Sequence, residues 1–362
     1  LDASLYAGFL REYAENKGVV RYEGKVTQVE KSELTDDLAS ITLESGLSLA
    51  GDFFIDCSGF RALLIEQSLV TGYEDWSHWL PCDRAIAVPS EKIKDPLPYT
   101  KAIAHPVGWR WCIPLQSRNG NGRVYSSSYV NDDYVAQELL DSLDGKPLAD
   151  LNFLRFKTGR RKLSWNKNCV AIGLASGFLE PLESTSIYLI QIAISKLIEF
   201  FPYKDDREKN QCLRTEFNRQ LQMEYERVRD FLILHYTVTE RDDSEFWRYL
   251  RNMPLPESLQ RKMSLYKSTG QVEHYQRGMF LEPSWVAVYS GQGIIPHNYH
   301  PLVDNLSETD LQKFLRETYE QVHQFAKDMP THQQSLISNV GLHSGSSNAW
   351  PPAAMSLYGV FS

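Results

Sequence analysis

The stretch 173–190 places a carboxylate and several hydroxyl side chains directly before an apolar run. Glu183 is followed by the hydroxyl residues 184–186, and the apolar segment after them extends to Phe201. Ser and Thr before an apolar run predict a helix start, because their oxygens cap free backbone N–H groups. Those first N–H groups lack internal partners and carry the positive end of the helix dipole, so an anion can bind there. We therefore predict an anion site at this helix start, with Glu183 at its mouth as an acid/base group.

Two tryptophans alternate with other residues in the segment 108–114. As a strand, this segment would place the indoles of Trp109 and Trp111 on one face, because successive strand residues point to opposite sides. A core aromatic pair explains this pattern as well as the wall of a binding site does. The residues by themselves leave both interpretations open.

Other residues that bind ligands in some proteins have less support from their surroundings. His297 and His300 have the spacing of a metal site, but no acidic or cysteine ligand accompanies them, so we predict no metal. The segment 157–165 is interpreted as a polar turn. Its Arg160 and Arg161 would either be solvated or neutralise a diphosphate.

The segment 53–61 has the pattern of a turn beside a nucleotide. A continuous apolar run, as in a buried parallel strand, ends in Asp56 and leads into Ser58 and Gly59. An ordinary turn from strand to helix is the equal alternative. The sequence has no G-x-G-x-x-G fingerprint, and we interpret 120–122 as a hairpin turn. We expect either that the chain begins inside a longer domain or that it holds no dinucleotide.

Composition limits the partners of the chain. It has 362 residues, of which 42% are hydrophobic, and its net charge is −8. This length can bury a large core, and the acidic balance argues against nucleic acid as a partner. The five cysteines are scattered and form no C-x-x-C pair, which indicates reduced thiols and a cytoplasmic location. The longest apolar run, 187–201, contains charged residues and is too short to span a bilayer, so we predict a core helix and no membrane partner.

The predicted elements are strand-rich in the first half of the chain and helix-rich in the second. Strands are predicted at 19–22, 25–29, 39–43, 47–49, 53–56, 109–115 and 123–129. Helices are predicted at 2–16, 187–201, 208–233 and from Ser307 onward. In the last helix we expect five apolar side chains to point inward, namely Leu311, Phe314, Leu315, Val322 and Phe325. The tail 341–362 has no periodicity and is predicted to be loose.

Two motifs resemble those of the flavin-dependent tryptophan halogenases. Residues 173–185 are similar to the halide-site loop of that family, and 108–114 is similar to the W-x-W-x-I-P motif that separates it from flavin hydroxylases. The resemblance extends from Leu1 to about Thr331. It implies an α/β fold: an incomplete, flavin-monooxygenase-like FAD-binding fold with a β-sheet substrate layer and a helical C-terminal part. We divide the chain into a partial FAD-binding and halide-site domain with an inserted sheet (1–201), a helical substrate-covering part (202–340) and the tail.

The resemblance implies an oxidoreductase whose FAD carries the difficult step. A separate flavin reductase supplies FADH2, which reacts with O2 to give a flavin hydroperoxide; chloride or bromide attacks it and forms hypohalous acid. Thr185 and Ser186 match the halide site. Glu183, hydrogen-bonded by Ser184, matches the Glu that positions the halogen and removes the ring proton. The family's catalytic Lys would precede Leu1, so whether this chain is active by itself stays open.

The resemblance also assigns binding residues. Those near FAD are Val26, Leu174 and Ile187, with Trp109 and Trp111 as a wall that separates substrate from flavin. Those for a small aromatic substrate are Glu183, Tyr236, Asp242, Phe246 and Trp247. The tryptophan-specific members carry Tyr at His235, Glu at Asp242 and Asn at Arg251, so we expect an indole or another electron-rich arene. A flavin-dependent aromatic hydroxylase and a non-catalytic fragment are the alternatives, and a homodimer is compatible with the resemblance.

Overall fold

The computed structural model describes residues 3–203 and 207–340, so the tail 341–362 lies outside the described residues. The strands are β1 Val26–Lys31, β2 Leu38–Leu43, β3 Ser48–Ala50, β4 Phe54–Asp56, β5 Tyr73–Asp75, β6 Arg84–Ser90, β7 Lys101–Ala104, β8 Trp109–Pro114, β9 Asn119–Tyr125, β10 Asn152–Arg155, β11 Gly159–Arg161, β12 Trp165–Asn166, β13 Cys169–Ala171 and β14 Gly177–Phe178. The helices are α1 Ala3–Asn16, α2 Asp132–Asp141, α3 Thr185–Glu199, α4 Arg207–Thr237, α5 Glu245–Asn252, α6 Glu257–Thr269, α7 Glu282–Gly291, α8 Glu308–Asp328 and α9 His332–Val340.

The strands form several small sheets and one larger one. The larger sheet has the order β10-β6-β9-β8-β7, and all of its pairs are antiparallel. β4 pairs parallel to β13, as the continuous apolar run at 53–56 predicted, but it is not fully buried, since Ile55 is 49% exposed. β12 extends that sheet. β1, β2 and β3 form a meander, and β11 lies between β14 and β5. The strand-rich first half and helix-rich second half confirm the predicted α/β class.

The largest hydrophobic core joins the sheet residues to the long helices. Trp109 and Val124 of the larger sheet belong to the same cluster as Phe217 of α4 and Phe246 of α5. The cluster takes residues from both sides of the division that we placed at 201, and that division stays a prediction. α4 covers the predicted helix 208–233 and buries an apolar stripe that includes Phe217, Tyr225 and Leu232. This helix therefore contributes many of the side chains that form the core of the second half.

The predicted hairpin turn at 120–122 is wrong, because these residues lie inside β9. The chain turns earlier, where the Leu115 N–H donates to the Arg118 carbonyl at 2.9 Å. Gly122 pairs with Trp111 across the sheet. A Cβ on Gly122 would lie 1.9 Å from the Trp111 indole. The glycine is needed to admit that ring and not to turn the chain.

The polar turn predicted at 157–165 is also wrong. Arg160 and Arg161 are buried in β11, where Arg160 pairs with Glu74 at 2.6 Å and Arg161 with Glu66 at 2.7 Å. Burying a guanidinium is favourable only when a carboxylate compensates it. Both arginines are therefore structural ion-pair partners rather than solvated groups or diphosphate ligands.

Three predicted elements differ in extent or burial. The segment 19–22 is not a strand. α3 begins at Thr185 and buries one face, through Leu189, Ala193 and Leu197, so the predicted core helix is only half-buried. α8 begins after Ser307 as expected, and the Ser307 hydroxyl caps it by accepting a hydrogen bond from the Asp310 N–H. Four of its five predicted inward side chains are exposed, with Phe325 at 66%, and Leu311 is half-buried. Periodicity located these helices correctly, yet it does not report whether another element covers the apolar face.

Candidate functional site

The loop between β14 and α3 has two consecutive residues in the left-handed region. Glu183 has φ 64° and Ser184 has φ 55°. This conformation is unusual outside glycine and costs about 1–3 kcal/mol per residue. It reverses the chain within the short helical turn Leu182–Ser184 and starts α3 at Thr185. Strained backbone of this kind is common at binding sites, where the surrounding structure holds it in place.

The first turn of α3 is not capped by a side chain. Ser184 occupies the N-cap position but makes no side-chain hydrogen bond there, so the predicted helix start is confirmed and the predicted hydroxyl cap is not. Thr185 is fully buried, and its Oγ1 has no hydrogen-bond partner in residues 3–203 and 207–340. Ser186 follows and is half-buried. A buried orphan hydroxyl beside uncapped N–H groups provides the donors that a small anion needs.

Glu183 is paired with a histidine of α4. Its Oε1 lies 3.2 Å from Nε2 of His235. This hydrogen bond lowers the pKa of the Glu183 carboxyl, although partial burial acts in the opposite direction. We expected Ser184 to hold this carboxylate, but the partner found among the described residues is His235. The carboxylate is half-exposed and stays ionised at neutral pH.

A second carboxylate, Glu180, lies fully buried under the same loop. Its Oε1 accepts hydrogen bonds from Nε1 of Trp109 at 2.9 Å and from the Tyr236 hydroxyl. No described residue is a partner of its Oε2. Burial raises the pKa of Glu180 to about 7, against the opposing effect of these hydrogen bonds. Glu180 was not among the predicted site residues, although a carboxylate inside the apolar stretch 178–182 was a signal that could have found it.

The two indoles lie on one face of β8, as predicted. The Trp109 and Trp111 ring centroids are 5.9 Å apart with their planes at 53°. Trp109 is buried, and its N–H is committed to Glu180, while Trp111 is half-buried. The core interpretation therefore holds for Trp109, which also connects the larger sheet to the loop before α3.

The predicted substrate residues at the α4–α5 junction form a buried aromatic cluster. Tyr236, Phe246 and Trp247 have centroid separations of 5.3 to 6.2 Å. Trp247 donates its indole N–H to the His105 carbonyl at 2.7 Å. Asp242 is exposed and stands outside this cluster. The cluster reaches the loop before α3 through the contact between Tyr236 and Glu180.

The predicted FAD-contact residues divide between two places. Leu174 lies in the short helical turn Gly173–Ala175, next to α3, and Ile187 lies in the first turns of α3; they are 37% and 40% exposed. Val26 lies on β1, in the separate meander. Asp56 is buried. It accepts hydrogen bonds from the backbone N–H groups of Ser58, Leu64 and Ile65 and from the Ser58 hydroxyl. Exposed apolar side chains near an uncapped helix start fit the edge of a flat aromatic cofactor, whereas Asp56 serves its own turn.

Other sequence candidates do not form sites. Among residues 3–203 and 207–340, no cluster of three or more His, Cys, Asp or Glu side chains is arranged to hold a metal ion. His300 instead accepts a hydrogen bond from the Leu302 N–H at 3.2 Å. In the same part of the chain, no helix combines the length and the apolarity that crossing a bilayer requires.

Comparison with known proteins agrees with this arrangement. The sequence profile described as tryptophan halogenase matches residues 1–308. Xcc4156, a flavin-dependent halogenase from Xanthomonas campestris, is 44% identical with a TM-score of 0.90, over 97% of this chain and 69% of that one. BrvH, a flavin-dependent halogenase from Brevundimonas sp. BAL3, is 45% identical with a TM-score of 0.89, over 93% of this chain and 68% of that one.

Curated sequences give the same result. Tryptophan 6-halogenase ThaL from Streptomyces albogriseolus is 37% identical over 83% of this chain. Tryptophan 7-halogenase KtzQ from Kutzneria sp. is 35% identical over the same share. The chain spans 59% of the length of each of these two relatives. The profile match, the two motifs and the loop before α3 together show that this chain belongs to the tryptophan halogenase family.

Proposed function

We propose that this protein is a flavin-dependent halogenase that uses reduced FAD, O2 and chloride or bromide to halogenate an indole or another electron-rich arene. The observation that supports this most directly is the start of α3. There, within the part of the chain that the structure describes, the buried Thr185 hydroxyl has no partner and the first N–H groups have no side-chain cap. Glu183 stands directly before them as an ionised carboxylate. An anion site and a proton acceptor thus adjoin each other on one loop.

Thr185 and Ser186 would hold the halide. Interaction with a helix N-terminus contributes about 0.3–1 kcal/mol when exposed and about 2 kcal/mol when partly buried. Stripping water from a small anion costs more than this, so the Thr185 hydroxyl must add a hydrogen bond. The site would therefore bind halide weakly, with a preference for the less strongly hydrated ion.

The cofactor would rest on exposed apolar side chains. Leu174 and Ile187 flank the start of α3, and we assign Val26 of β1 to the same cofactor. When bound, reduced FAD with O2 supplies the oxidising equivalent that converts halide to hypohalous acid. The chain's own residues bind and orient the reactants and move a proton at Glu183. Trp109 and Trp111 would separate arene from cofactor, which favours halogenation over flavin-dependent hydroxylation.

The substrate would lie between Glu183 and the α4–α5 junction. Tyr236, Phe246 and Trp247 are buried, so they would form a rigid floor under the ring rather than mobile walls. Asp242 is exposed and one methylene shorter than the Glu of tryptophan-specific members. Arg251 donates to the Glu240 carbonyl at 3.3 Å and adds positive charge near this segment. These features favour an indole lacking an ammonium group over free tryptophan.

Partners and location follow from the same proposal. A separate flavin reductase would supply FADH2. Ser184 would contribute to catalysis through the conformation of the loop that carries Glu183. Residues 1–201 would bind the cofactor and the halide, and residues 202–340 would cover the substrate. Cys57, Cys82, Cys112, Cys169 and Cys212 are all free thiols, which supports a reducing cytoplasm. The homodimer stays a prediction.

The test supplies the protein with indole, bromide, O2, FAD and a flavin reductase, and detects products by mass spectrometry. We expect bromoindole, and its loss in Glu183→Gln while the mutant still consumes oxygen. The exposed Glu44→Gln is the matched control and should brominate as the wild type does. Hydroxyindole without bromoindole would contradict the proposal and favour the hydroxylase alternative.

A further inference from the structure

The helix that carries His235 determines which ring nitrogen bears a hydrogen. Its Nδ1 lies 2.8 Å from the carbonyl oxygen of Phe231, one turn earlier in α4. A carbonyl oxygen only accepts hydrogen bonds, so Nδ1 must carry a hydrogen. The ring also packs edge-on against Phe231, with centroids 4.8 Å apart at 84°. Phe231 is itself buried and stacked on Phe280, so the imidazole has little freedom to flip.

This ring orientation determines whether the contact between His235 and Glu183 is repulsive or a hydrogen bond. In a neutral ring with hydrogen on Nδ1, Nε2 presents only a lone pair. A lone pair facing a carboxylate oxygen at 3.2 Å would be repulsive. The contact is a hydrogen bond only when one additional proton lies between the two atoms. The pair therefore holds one proton on Nε2, with Glu183 as the carboxylate.

Two acidic side chains contact neighbouring residues of α4 at this point. Glu183 contacts the His235 ring, and the hydroxyl of the next residue, Tyr236, donates to the buried Glu180. The His235 side chain is 18% exposed, which leaves an edge for exchange with water. A half-buried imidazole in contact with a carboxylate is well placed to store a proton.

We propose that His235 is the positioning residue that stores the proton which Glu183 exchanges with the reactants. This inference rests on the proposed function. As the halogen–oxygen bond of hypohalous acid breaks, the proton passes from Nε2 through Glu183 to the departing hydroxide and forms water. The ring carbon takes the halogen. Its C–H bond then breaks, the electron pair restores the aromatic ring, and the proton returns through Glu183 to Nε2. The sum is arene plus hypohalous acid giving haloarene plus water, with the pair unchanged.

Two substitutions separate hydrogen bonding from proton storage. His235→Gln keeps an N–H that can donate to Glu183 but cannot take up a proton. His235→Phe keeps the aromatic packing on Phe231 and removes both nitrogens. His297→Gln, at an exposed loop histidine, is the matched control.

The first measurement needs neither flavin nor turnover. Nitrogen-15 NMR of the imidazoles should show His235 with hydrogen on Nδ1, assigned by its loss in His235→Gln, and Glu183→Gln should shift that signal. Carbon-13 titration should show that the pKa of Glu183 rises in His235→Phe, because its hydrogen-bond donor is gone. A His235 signal with an unprotonated Nδ1, or an unchanged Glu183 titration, would overturn the shared proton.

The second measurement is steady-state bromination. We expect His235→Gln to lower kcat at least about tenfold with little change in KM for indole, since general acid–base catalysis typically contributes about 10²–10⁴-fold. Deuterium at the substituted ring carbon should slow His235→Gln more than the wild type, because proton removal becomes limiting. Wild-type kcat without an isotope effect in that variant would refute the storage role. If the protein brominates nothing, the proposed function fails, while the NMR experiment still decides whether the proton is shared.

Discussion

The buried Glu180 makes the stability of this protein depend on pH in an unusual direction. Among the described residues no cationic side chain pairs with its carboxyl and Oε2 has no partner, so burial raises its pKa from 4.5 to about 7. A carboxyl whose folded-state pKa is raised binds its proton more tightly in the folded state. Its contribution to stability is fully present below the unfolded pKa and is lost as pH rises through the folded pKa.

The magnitude follows from the shift. A difference of about 2.5 pKa units is worth about 3 kcal/mol at 1.36 kcal/mol per unit. Between about pH 5 and about pH 8.5, roughly 2–3 kcal/mol of this stabilisation would be lost. The loss is smaller than the full amount because the carboxyl of the unfolded chain is already partly ionised at about pH 5. Glu180→Gln cannot ionise, so it keeps the shape and removes this pH dependence. The amide of this variant places an N–H group where Oε2 of Glu180 has no partner. An unpaired buried N–H group costs about 1–3 kcal/mol of folding stability at every pH.

Urea unfolding of wild type and Glu180→Gln across this pH range measures the difference directly. We expect the stability advantage of the wild type to shrink by about 2–3 kcal/mol as pH rises from about 5 to about 8.5. The exposed Glu44→Gln should track the wild type at each pH. A wild-type advantage that stays constant, or grows with pH, would refute the reasoning that Glu180 is buried without a cationic partner.

Four further outcomes are expected. Glu183→Gln should lower halogenation at least about 10²-fold with flavin binding nearly intact, as general acid–base roles predict; loss of flavin binding would instead make the residue structural. Because Asp242 is exposed and short, indole should be turned over in preference to tryptophan, and the reverse order in a direct comparison would reject this. In competition at equal concentration, bromide should be incorporated at least as readily as chloride, because the weak site at Thr185 favours the less hydrated ion; excess chlorinated product would rule that out. Gly122→Ala should destabilise the fold by about 1–3 kcal/mol through overpacking against Trp111, measured as a lower urea midpoint, and an unchanged midpoint would show that the indole can move.

Much of the fold was predictable because its signals are local. The parallel strand at 53–56 was indicated by a continuous apolar run, and Ser307 was identified as a helix start by its capping pattern. The placement of Trp109 and Trp111 on one face followed from the period of a strand. Each of these features depends on neighbours within one or two turns of the same element, so single-sequence patterns report them well.

The candidate site was only partly predictable. The order of Glu183, Thr185 and Ser186 indicated an acid/base group beside an anion site, and the helix begins where expected. The partner of Glu183 was predicted as Ser184, the adjacent residue, whereas the structure brings in His235 from α4. Glu183 has a left-handed backbone and contacts a distant helix, and adjacency in sequence does not predict such a contact.

The amino-acid sequence by itself therefore determined the type of most predicted elements, the start of α3 and the family motifs, because these depend on short-range spacing and side-chain type. Only the tertiary structure decided which groups are buried together. Glu180 meets Trp109 and Tyr236 across sequence separations of 71 and 56 residues. Arg160 became an ion-pair partner because β11 lies next to β5. α8 kept its apolar face exposed for the same kind of reason: burial depends on which distant elements pack against a residue, and a residue's own neighbours do not encode that.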